Sequence, residues 1–309
     1  MDKQQKNRVI VIAGPTASGK SQLAIDVAKA VNGIVINADS QQVYNCTPLL
    51  SACPDDRDKR TVSHRLYEIW GIEKSGSVVE WLNLAAAEIR QAWNEGKIPV
   101  VVGGTGLYID NLINGTTPIP ETKPEVRATV LEMLESDGVR ALHARLAEVD
   151  KEAAARLNCN DTTRVRRAYE VWLDTGKTLS EWHKLPMKKL LPEAAFEVIK
   201  ILPPQEELDE RCFCRFDMMM EAGALQEAEK IYEKKYNDKL PAMRALGLPE
   251  LLNYLKGQCS KKEAVGQAKL HSRQYAKRQR TWFANKLEAQ VVLEHCYNGD
   301  EAVVKKIVN

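Results

Sequence analysis

In the first part of the chain, short apolar runs typical of strands alternate with segments whose apolar residues have helical spacing. Arg8–Ala13 is a short run of β-branched residues that ends at a glycine, which predicts a buried strand. Residues 20–31 then place apolar side chains at helical spacing, and Asn32-Gly33 is a typical helix end. Residues 34–36 form a second apolar run. The order strand, helix, strand is the unit from which parallel sheets are built.

The pattern repeats after an irregular stretch. Residues 39–65 carry prolines and a charged patch, which predicts a long loop outside the sheet. An amphipathic helix is predicted over residues 79–93, and residues 98–102 predict a third strand. A pair of glycines follows at once, before another predicted helix. We therefore expect an α/β fold in which a parallel sheet is flanked by helices.

A long helical segment interrupts this alternation. Helices without intervening strands are predicted over residues 125–135, 139–149, 151–158 and 163–175. Residues 196–202 return to a strand pattern, and the chain from Gln205 onward is predicted to be helical. These boundaries predict a core of residues 1–115 and 193–309 with an all-helical insertion at 116–192.

Composition sets limits without indicating an activity. The chain has 309 residues, 44% of them hydrophobic, and a formal net charge of +2, so total charge does not indicate a nucleic-acid binder. No apolar stretch approaches the roughly 18 residues of a membrane span, and no secretory signal is recognisable. The seven cysteines lack the spacing of a zinc site. We expect a cytoplasmic monomer with reduced thiols and no membrane association.

One motif predicts a binding site for an anion. The pattern G-x-x-x-x-G-K-[ST] is matched in full by Gly14, Pro15, Thr16, Ala17, Ser18, Gly19, Lys20 and Ser21. Main-chain amides of such a loop wrap a phosphate group, and the following helix adds the positive end of its dipole. Lys20 is expected to contact phosphate oxygens, and Ser21 to ligate Mg²⁺. The motif leaves open whether a phosphoryl group is transferred or a diphosphate is released.

Further motifs follow the second and third predicted strands. Residues 39–44 match D-S-x-Q-x-Y, and residues 103–108 match G-G-T-x-x-Y. Since ligands bind at the carboxyl ends of parallel strands, both motifs and the phosphate loop should converge on one cleft. Other motifs follow in order at residues 124–127, 160–168, 176–180, 240–247 and 272–283. Together they resemble the tRNA dimethylallyltransferase family, which implies a P-loop NTPase-like parallel sheet with a helical tRNA-binding insertion.

The resemblance also implies a reaction and a set of site residues. The reaction is transfer of a dimethylallyl group from its diphosphate to the exocyclic amine of the adenosine immediately 3′ of the anticodon, in tRNAs that read UNN codons. Asp39 is the implied base, Thr105 contacts the transferred group, and Lys20 is a catalytic cation. Arg215 is expected to join the diphosphate contacts. The implied tRNA contacts are Asp39, Ser40, Gln41, Gln42, Thr105, Arg127, Thr163, Arg164, Arg167, Arg244, Arg273, Lys277 and Arg278.

The distribution of charge supports an RNA partner. Residues 261–286 contain eight lysines and arginines, opposed only by Glu263, with aromatic residues between them. Residues 164–189 of the insertion are also basic. We expect two basic surfaces that clamp an anticodon stem-loop, from which the target base is flipped out. Solvated helix faces are the simpler interpretation of the charges alone, but together with the motifs the pattern favours RNA binding.

Three other interpretations stay open. A P-loop small-molecule kinase would need the phosphate loop, but not the insertion or the basic helix. A prenyltransferase acting on free adenine nucleotide would need neither basic surface. A non-catalytic RNA-binding protein would not require intact Lys20, Ser21 and Asp39.

One loop departs from the family pattern. Where the family commonly has G-T-A-K-P, this chain has Leu50, Ser51, Ala52, Cys53 and Pro54. The loop between Tyr44 and His64 is therefore expected to differ in its fine contacts.

Overall fold

The computed structural model describes residues 7–308, which fold into two compact units. The first unit consists of the chain up to residue 113 and from residue 190, and the second consists of residues 114–189. The second unit overlaps the insertion predicted at residues 116–192, with both boundaries a few residues earlier. Each unit is described by itself.

A six-stranded sheet forms the centre of the first unit. Its strands are β1 (Arg8–Ala13), β2 (Gly33–Asn37), β3 (His64–Arg65), β4 (Ile98–Gly103), β5 (Ala195–Ile201) and β6 (Val291–Leu293). The spatial order is β3-β2-β4-β1-β5-β6, and all five pairings are parallel. The carboxyl ends of the strands therefore lie at one edge, as the sequence predicts.

The two edge strands were not predicted from the sequence. β6 contradicts the prediction that the chain is helical throughout from Gln205 onward. It has only three residues, and none of them is fully buried, so the strand leaves no apolar run to detect. Its place is fixed by main-chain pairing with β5, including a 2.8 Å hydrogen bond from Leu202 N to Leu293 O.

Helices cover both faces of the sheet. The first four are α1 (Lys20–Ala30), α2 (Asp56–Thr61), α3 (Val78–Asn94) and α4 (Gly106–Asn114). Alternate residues of β1 face opposite layers, since Val9 and Val11 belong to the larger core and Ile10 and Ile12 to the smaller one. α1 packs in the smaller core and α3 in the larger. Burial on both faces explains why these strands are almost wholly apolar.

The second unit is helical. It contains α5 (Pro124–Val149), α6 (Lys151–Arg156), α7 (Thr162–Thr175) and α8 (Leu179–His183). α5 is interrupted at Gly138, whose φ of +80° separates the two helices that the sequence predicts there. The unit has its own apolar core, in which Val130, Leu142 and Val165 are fully or almost fully buried. The helical character of this segment therefore follows from its own apolar spacing.

The chain returns to the first unit for the remaining elements. They are β5, α9 (Gln205–Glu221), α10 (Ala224–Glu233), a 3-10 turn (Pro241–Arg244), α11 (Leu248–Leu255), α12 (Lys261–Lys286), β6 and α13 (Glu301–Val308). α12 begins with a capping box between Ser260 and Glu263. Its buried face includes Ser272, Ala276, Gln279 and Phe283. Within residues 7–308 there is no helix with the length and apolarity needed to cross a membrane.

Candidate active site

The phosphate cradle, defined here as residues 14–19, connects β1 to α1. Ala17 and Gly19 have left-handed backbone φ angles of +65° and +86°, which tighten the loop. Gly19 cannot carry a side chain without a shift, because a Cβ would lie 2.4 Å from the carbonyl oxygen of Tyr297. Among the described residues, no side chain caps the start of α1. The first amides of this helix are therefore open to an anion.

Lys20 is a buried cation at the base of the cradle. Its side chain is only 8% exposed, and Nζ donates a hydrogen bond of 3.4 Å to the carbonyl oxygen of Pro15. Burial lowers the pKa of Lys20 to about 8, the negative charge of Asp39 opposes this shift, and the positive charge of Arg215 adds to it. An anion bound in the cradle would favour the charged form of the lysine.

Thr16 receives two side chains from distant helices. A guanidinium nitrogen of Arg215, on α9, donates to the Thr16 hydroxyl. The Gln279 side chain, on α12, accepts a 2.8 Å hydrogen bond from the main-chain nitrogen of Thr16. Burial lowers the pKa of Arg215, as it does for Lys20. The cradle thus has a second cation beside it, as the sequence predicts for Arg215.

Asp39 follows the end of β2 and is held by a local turn. Its main-chain nitrogen donates to Asn37 Oδ1 over 2.8 Å, and its own Oδ1 accepts from the main-chain nitrogen of Gln41 over 2.9 Å. Oδ2 faces Gly104, since a Cβ there would lie 3.2 Å from this oxygen. The Asp39 charge influences the pKa values of both Lys20 and Arg215, so the carboxylate lies within electrostatic reach of the cradle.

The loops after β2 and β4 are joined by the Thr105 hydroxyl. Oγ1 accepts from the main-chain nitrogen of Ser40 over 2.9 Å and donates to Ser40 Oγ over 3.2 Å. The main-chain nitrogen of Thr105 also donates to the carbonyl oxygen of Ala38 over 3.3 Å. The structure therefore brings Asp39, Ser40 and Thr105 together, as the converging motifs predict.

Three tyrosines lie within electrostatic reach of Asp39. The pKa values of Tyr67, Tyr108 and Tyr275 are all raised, first by burial and also by the negative charge of Asp39. Each tyrosine therefore stays neutral at physiological pH. The surroundings of Asp39 are therefore less polarisable than water, which strengthens the electrostatic interactions of its carboxylate.

The loop that departs from the family pattern is anchored from two sides. Gln42 is buried, and its amide nitrogen donates to the carbonyl oxygens of Ser51 at 3.0 Å and Ala52 at 2.6 Å. Glu227, on α10, accepts from the main-chain nitrogens of Leu49 at 2.9 Å and Leu50 at 3.0 Å. Both protons of the Gln42 amide are thus committed inside the loop, and its predicted contact with RNA stays a prediction.

The remaining predicted RNA contacts of the first unit are Arg244, Arg273, Lys277 and Arg278. Arg244 is exposed at the end of the 3-10 turn. Arg273 forms an ion pair of 2.6 Å with Asp209 on α9. Lys277 and Arg278 are exposed on α12, and the Arg278 guanidinium carbon lies 5.7 Å from the Tyr275 ring centroid. Lys277 and Arg278 are therefore neighbouring exposed cations on α12, and the contact of all four side chains with RNA stays a prediction.

The predicted contacts of the second unit are Arg127, Thr163, Arg164 and Arg167. Thr163 and Arg164 are exposed in the first turn of α7, and Arg127 pairs with Glu121 at 3.2 Å. Arg167 is half-buried and donates to the Thr122 hydroxyl, and burial lowers its pKa. Three of these four side chains are therefore presented to solvent at least in part, and Arg167 is tied into its own unit.

Two residues that complete the cradle, Gln279 and Tyr297, had no predicted role. Tyr297 donates its main-chain nitrogen to the Ser18 carbonyl oxygen over 2.9 Å, and its hydroxyl donates to Asp26 on α1 over 2.8 Å. No local pattern marks this contact. Gln279 does leave a signal, because it is a polar side chain at a position whose helical neighbours Ala276 and Phe283 are buried.

Comparisons with known proteins decide the family. A sequence model of the IPP transferase family matches residues 42–286. The tRNA dimethylallyltransferase of Rhodopseudomonas palustris (strain BisB18) is 43% identical over 283 residues, which are 92% of this chain and 90% of that protein. The tRNA dimethylallyltransferase of Zymomonas mobilis is 41% identical, over 93% of this chain and 91% of that protein.

The chain belongs to the IPP transferase family. Solved structures of this family agree with that assignment. The tRNA isopentenylpyrophosphate transferase of Bacillus halodurans aligns with a TM-score of 0.71 and 31% identity, over 97% of this chain and 94% of that one. A eukaryotic dimethylallyltransferase acting on tRNA aligns with a TM-score of 0.78 and 30% identity, over 90% of this chain and 70% of that one.

Membership of the IPP transferase family confirms several predictions from the sequence. The family, its enzymatic character as a transferase and the α/β class with a parallel sheet are all confirmed. The roles of individual site residues stay predictions, and so do Mg²⁺, the prenyl donor and the monomeric state.

Proposed function

We propose that this IPP transferase moves a dimethylallyl group from dimethylallyl diphosphate to the exocyclic amine of the adenosine immediately 3′ of the anticodon, in tRNAs that read UNN codons. The observation that carries the proposal is a carboxylate, Asp39, within electrostatic reach of a phosphate cradle that has Lys20 at its base and Arg215 beside it. We also propose a cytoplasmic location, because tRNA and reduced thiols occur together in that compartment. The proposed active unit is the monomer.

The cradle suits a diphosphate leaving group. As the allylic carbon–oxygen bond breaks, the electron pair stays on the diphosphate. The amides at the start of α1, the Lys20 ammonium and the Arg215 guanidinium stabilise that charge. Because Lys20 is buried and its pKa is lowered, its proton is held most firmly when the anion is present.

Asp39 suits the role of base. The adenine amine forms the new nitrogen–carbon bond and gives up one proton, for which Oδ2 is the free acceptor, since Oδ1 already accepts from Gln41. Thr105 fixes the neighbouring Ser40 and so holds the turn that carries Asp39. The products are prenylated adenosine, diphosphate and a protonated Asp39, which returns its proton to solvent.

Mg²⁺ fits the cradle by the chemistry of its donors. Ser21 is exposed in the first turn of α1, directly after Lys20. Mg²⁺ usually keeps several waters and binds through one or two protein oxygens together with substrate phosphates. Within residues 7–308 no group of three or more His, Cys, Asp or Glu side chains could hold a metal. Ser21 would hold Mg²⁺ together with oxygens of the diphosphate, and the ion would neutralise part of the negative charge on the leaving group.

The RNA partner is supported by exposed cations on each unit. Lys277 and Arg278 on α12, and Arg164 on α7, are available to phosphates. Phosphate contacts of this kind give affinity and register, whereas contacts to the base itself give selectivity for the target nucleotide. The adenosine belongs to an anticodon loop, where unpaired bases are extracted at a smaller cost than from a duplex.

The test is a direct assay of the product. Purified protein is incubated with unmodified tRNA reading a UNN codon, dimethylallyl diphosphate and Mg²⁺, and digested nucleosides are separated by mass. Prenylated adenosine is the expected product. Asp39→Asn removes the acceptor with little change of shape, and we expect a loss of about 10²- to 10⁴-fold in kcat.

Matched controls separate the alternatives. Asp56→Asn removes an exposed carboxylate on α2 and should leave turnover unchanged. AMP replaces tRNA in one reaction, and ATP replaces dimethylallyl diphosphate in another. Product from AMP but not from tRNA would show a nucleotide prenyltransferase, and ATP turnover without prenylation would show a kinase-like protein.

A further inference from the structure

Gln279 bridges two loops of the active site from inside α12. Its side chain is only 6% exposed. Oε1 accepts a hydrogen bond from the Thr16 main-chain nitrogen over 2.8 Å, and Nε2 donates to the Gly104 carbonyl oxygen over 2.8 Å. Both partners are main-chain atoms, one in the phosphate cradle and one in the loop that carries Thr105. A single amide therefore joins the ends of β1 and β4.

The space around this bridge is filled. A Cβ at Gly104 would lie 2.3 Å from Gln279 Nε2 and 3.2 Å from Asp39 Oδ2. The Gln279 amide, Gly104 and the Asp39 carboxylate are therefore packed without room for a methyl group. From Gly104 the connection continues through Thr105 to Ser40, the residue after the proposed base.

A neutral amide satisfies both partners. The Thr16 nitrogen requires an acceptor and the Gly104 oxygen requires a donor, which a glutamine supplies from its two terminal atoms. An ionised carboxylate offers only acceptors, and a thioether offers no donor. The neighbouring buried positions of α12, Ala276 and Phe283, are apolar, so packing alone does not explain a glutamine at this position.

We propose that Gln279 is a positioning residue, which fixes the distance between the phosphate cradle and the loop beside Asp39. This inference rests on the proposed function, in which the cradle holds the leaving group and Asp39 takes the proton. Transfer then requires the donor carbon and the adenine amine to be aligned, and a misplacement of about 1 Å can reduce the rate by about 10²-fold.

Two variants separate positioning from general stability. Gln279→Met keeps the length of the side chain and removes both hydrogen bonds. Gln279→Glu keeps the shape of the side chain, but it loses the hydrogen-bond donor to Gly104 unless the new carboxyl group is protonated. The charged or titratable groups around this position are Asp39, Lys20, Arg215 and, on the same helix, Tyr275.

The expected results follow from the hydrogen-bonding pattern. Gln279→Met should lower kcat by about 10- to 100-fold and change the KM for dimethylallyl diphosphate by less than about threefold, because the cradle amides and Lys20 are retained. Burial raises the pKa of a carboxyl group, and protonation restores the donor toward Gly104. The kcat of Gln279→Glu relative to wild type should therefore rise as the pH is lowered from about 8 to about 6.

A measurement independent of turnover completes the test. Hydrogen exchange at the Thr16 amide should be faster in Gln279→Met than in wild type, by about tenfold or more, because its acceptor is gone. Gln267→Glu is the matched control, since this glutamine is exposed on the same helix, and it should change neither kcat nor Thr16 exchange.

Two results would overturn the inference. One is a Gln279→Met protein with wild-type kcat. The other is a constant ratio of the Gln279→Glu and wild-type rates between pH 6 and 8, which decides the question even if Gln279→Met does not fold. If wild-type protein prenylates nothing, the proposed function fails, and Thr16 exchange still shows whether Gln279 holds the cradle.

Discussion

The Thr105 hydroxyl accepts a hydrogen bond from the main-chain nitrogen of Ser40 over 2.9 Å and donates one to the Ser40 hydroxyl over 3.2 Å. One side chain thus joins the loops that follow β2 and β4, directly beside Asp39. The turn that carries the proposed base is held from outside as well as by its own hydrogen bonds to Asn37 and Gln41.

Replacing this hydroxyl should slow the chemical step. Thr105→Val keeps the shape and leaves the Ser40 amide without its acceptor, which should lower kcat for tRNA prenylation about tenfold. Thr105→Ser retains the hydroxyl and should stay within about twofold of wild type. Steady-state kinetics of both variants check this, and equal rates for Thr105→Val and Thr105→Ser would contradict it.

Diphosphate binding should depend on pH through Lys20. Burial lowers the pKa of this lysine to about 8, so the free protein loses the ammonium charge as the pH rises through that value. A bound anion raises the pKa again, and affinity for pyrophosphate should fall above pH 8 by up to about tenfold per pH unit. Calorimetric titrations between about pH 7 and 9.5 measure this. Lys20→Met should bind pyrophosphate weakly, and its affinity should lack the additional decrease above pH 8. A pH profile identical to that of wild type would rule out Lys20 as the source of this decrease.

Gly104→Ala should disturb the site more than the fold. The added Cβ would lie 2.3 Å from the Gln279 amide nitrogen, so this amide must move and lose its hydrogen bonds to Thr16 and Gly104, or the loop beside Asp39 must shift. We expect kcat to fall by about 10- to 100-fold. Gly266→Ala is the control, because it adds a methyl group on α12 where no atom lies within 4 Å. It should leave kcat unchanged and raise the free energy of unfolding by about 0.5–1 kcal/mol, measured by urea denaturation.

Lys200 should contribute to stability through the end of α12. Its buried ammonium donates to the carbonyl oxygens of Phe283 at 3.2 Å and Leu287 at 2.8 Å. Lys200→Met leaves these acceptors unpaired and should lower the free energy of unfolding by about 1–3 kcal/mol. Chemical denaturation checks this, with exposed Lys262→Met as the control. Equal losses of unfolding free energy in the two variants would show that the hydrogen bonds from Lys200 to the end of α12 are not the cause.

The exposed cations of α12 should act on tRNA affinity and not on chemistry. Lys277→Ala removes one potential phosphate contact, which should weaken tRNA binding and reduce the slope of log K against log salt by about one. The kcat at saturating tRNA should not change. Filter binding at several salt concentrations measures the slope, with Lys305→Ala on α13 as the control. An unchanged slope would exclude Lys277 from the interface.

Local sequence patterns were sufficient to predict the strands that are buried on both faces of the sheet. β1, β2 and β4 are short apolar runs beside turn residues, and the G-x-x-x-x-G-K-S motif places α1 directly after its loop. β6 could not be found in this way, because Val292 is exposed and the strand exists only through its pairing with β5. Its location depends on tertiary structure.

The same distinction applies to the site. Lys20, Asp39 and Thr105 lie in motifs whose chemistry is visible in the sequence, and the common edge of a parallel sheet brings them together. Gln279 lies in a recognised motif, but its role depends on which face of α12 meets the sheet. The basic residues around Gln279 predict an RNA-binding role for the solvent face of this helix, whereas the glutamine lies on its buried face.

The contact between Tyr297 and the phosphate cradle has a consequence for synthesis. The Ser18 carbonyl oxygen and the backbone at Gly19 are covered by the main chain of Tyr297, which lies beyond α12 and β6. A nascent chain that has emerged only as far as α12 therefore has the sequence of its anion-binding loop without the surface that packs against it. Residues 14–19 are translated well before Tyr297, so we expect the packing of this anion-binding loop to be completed only after the later segment has docked.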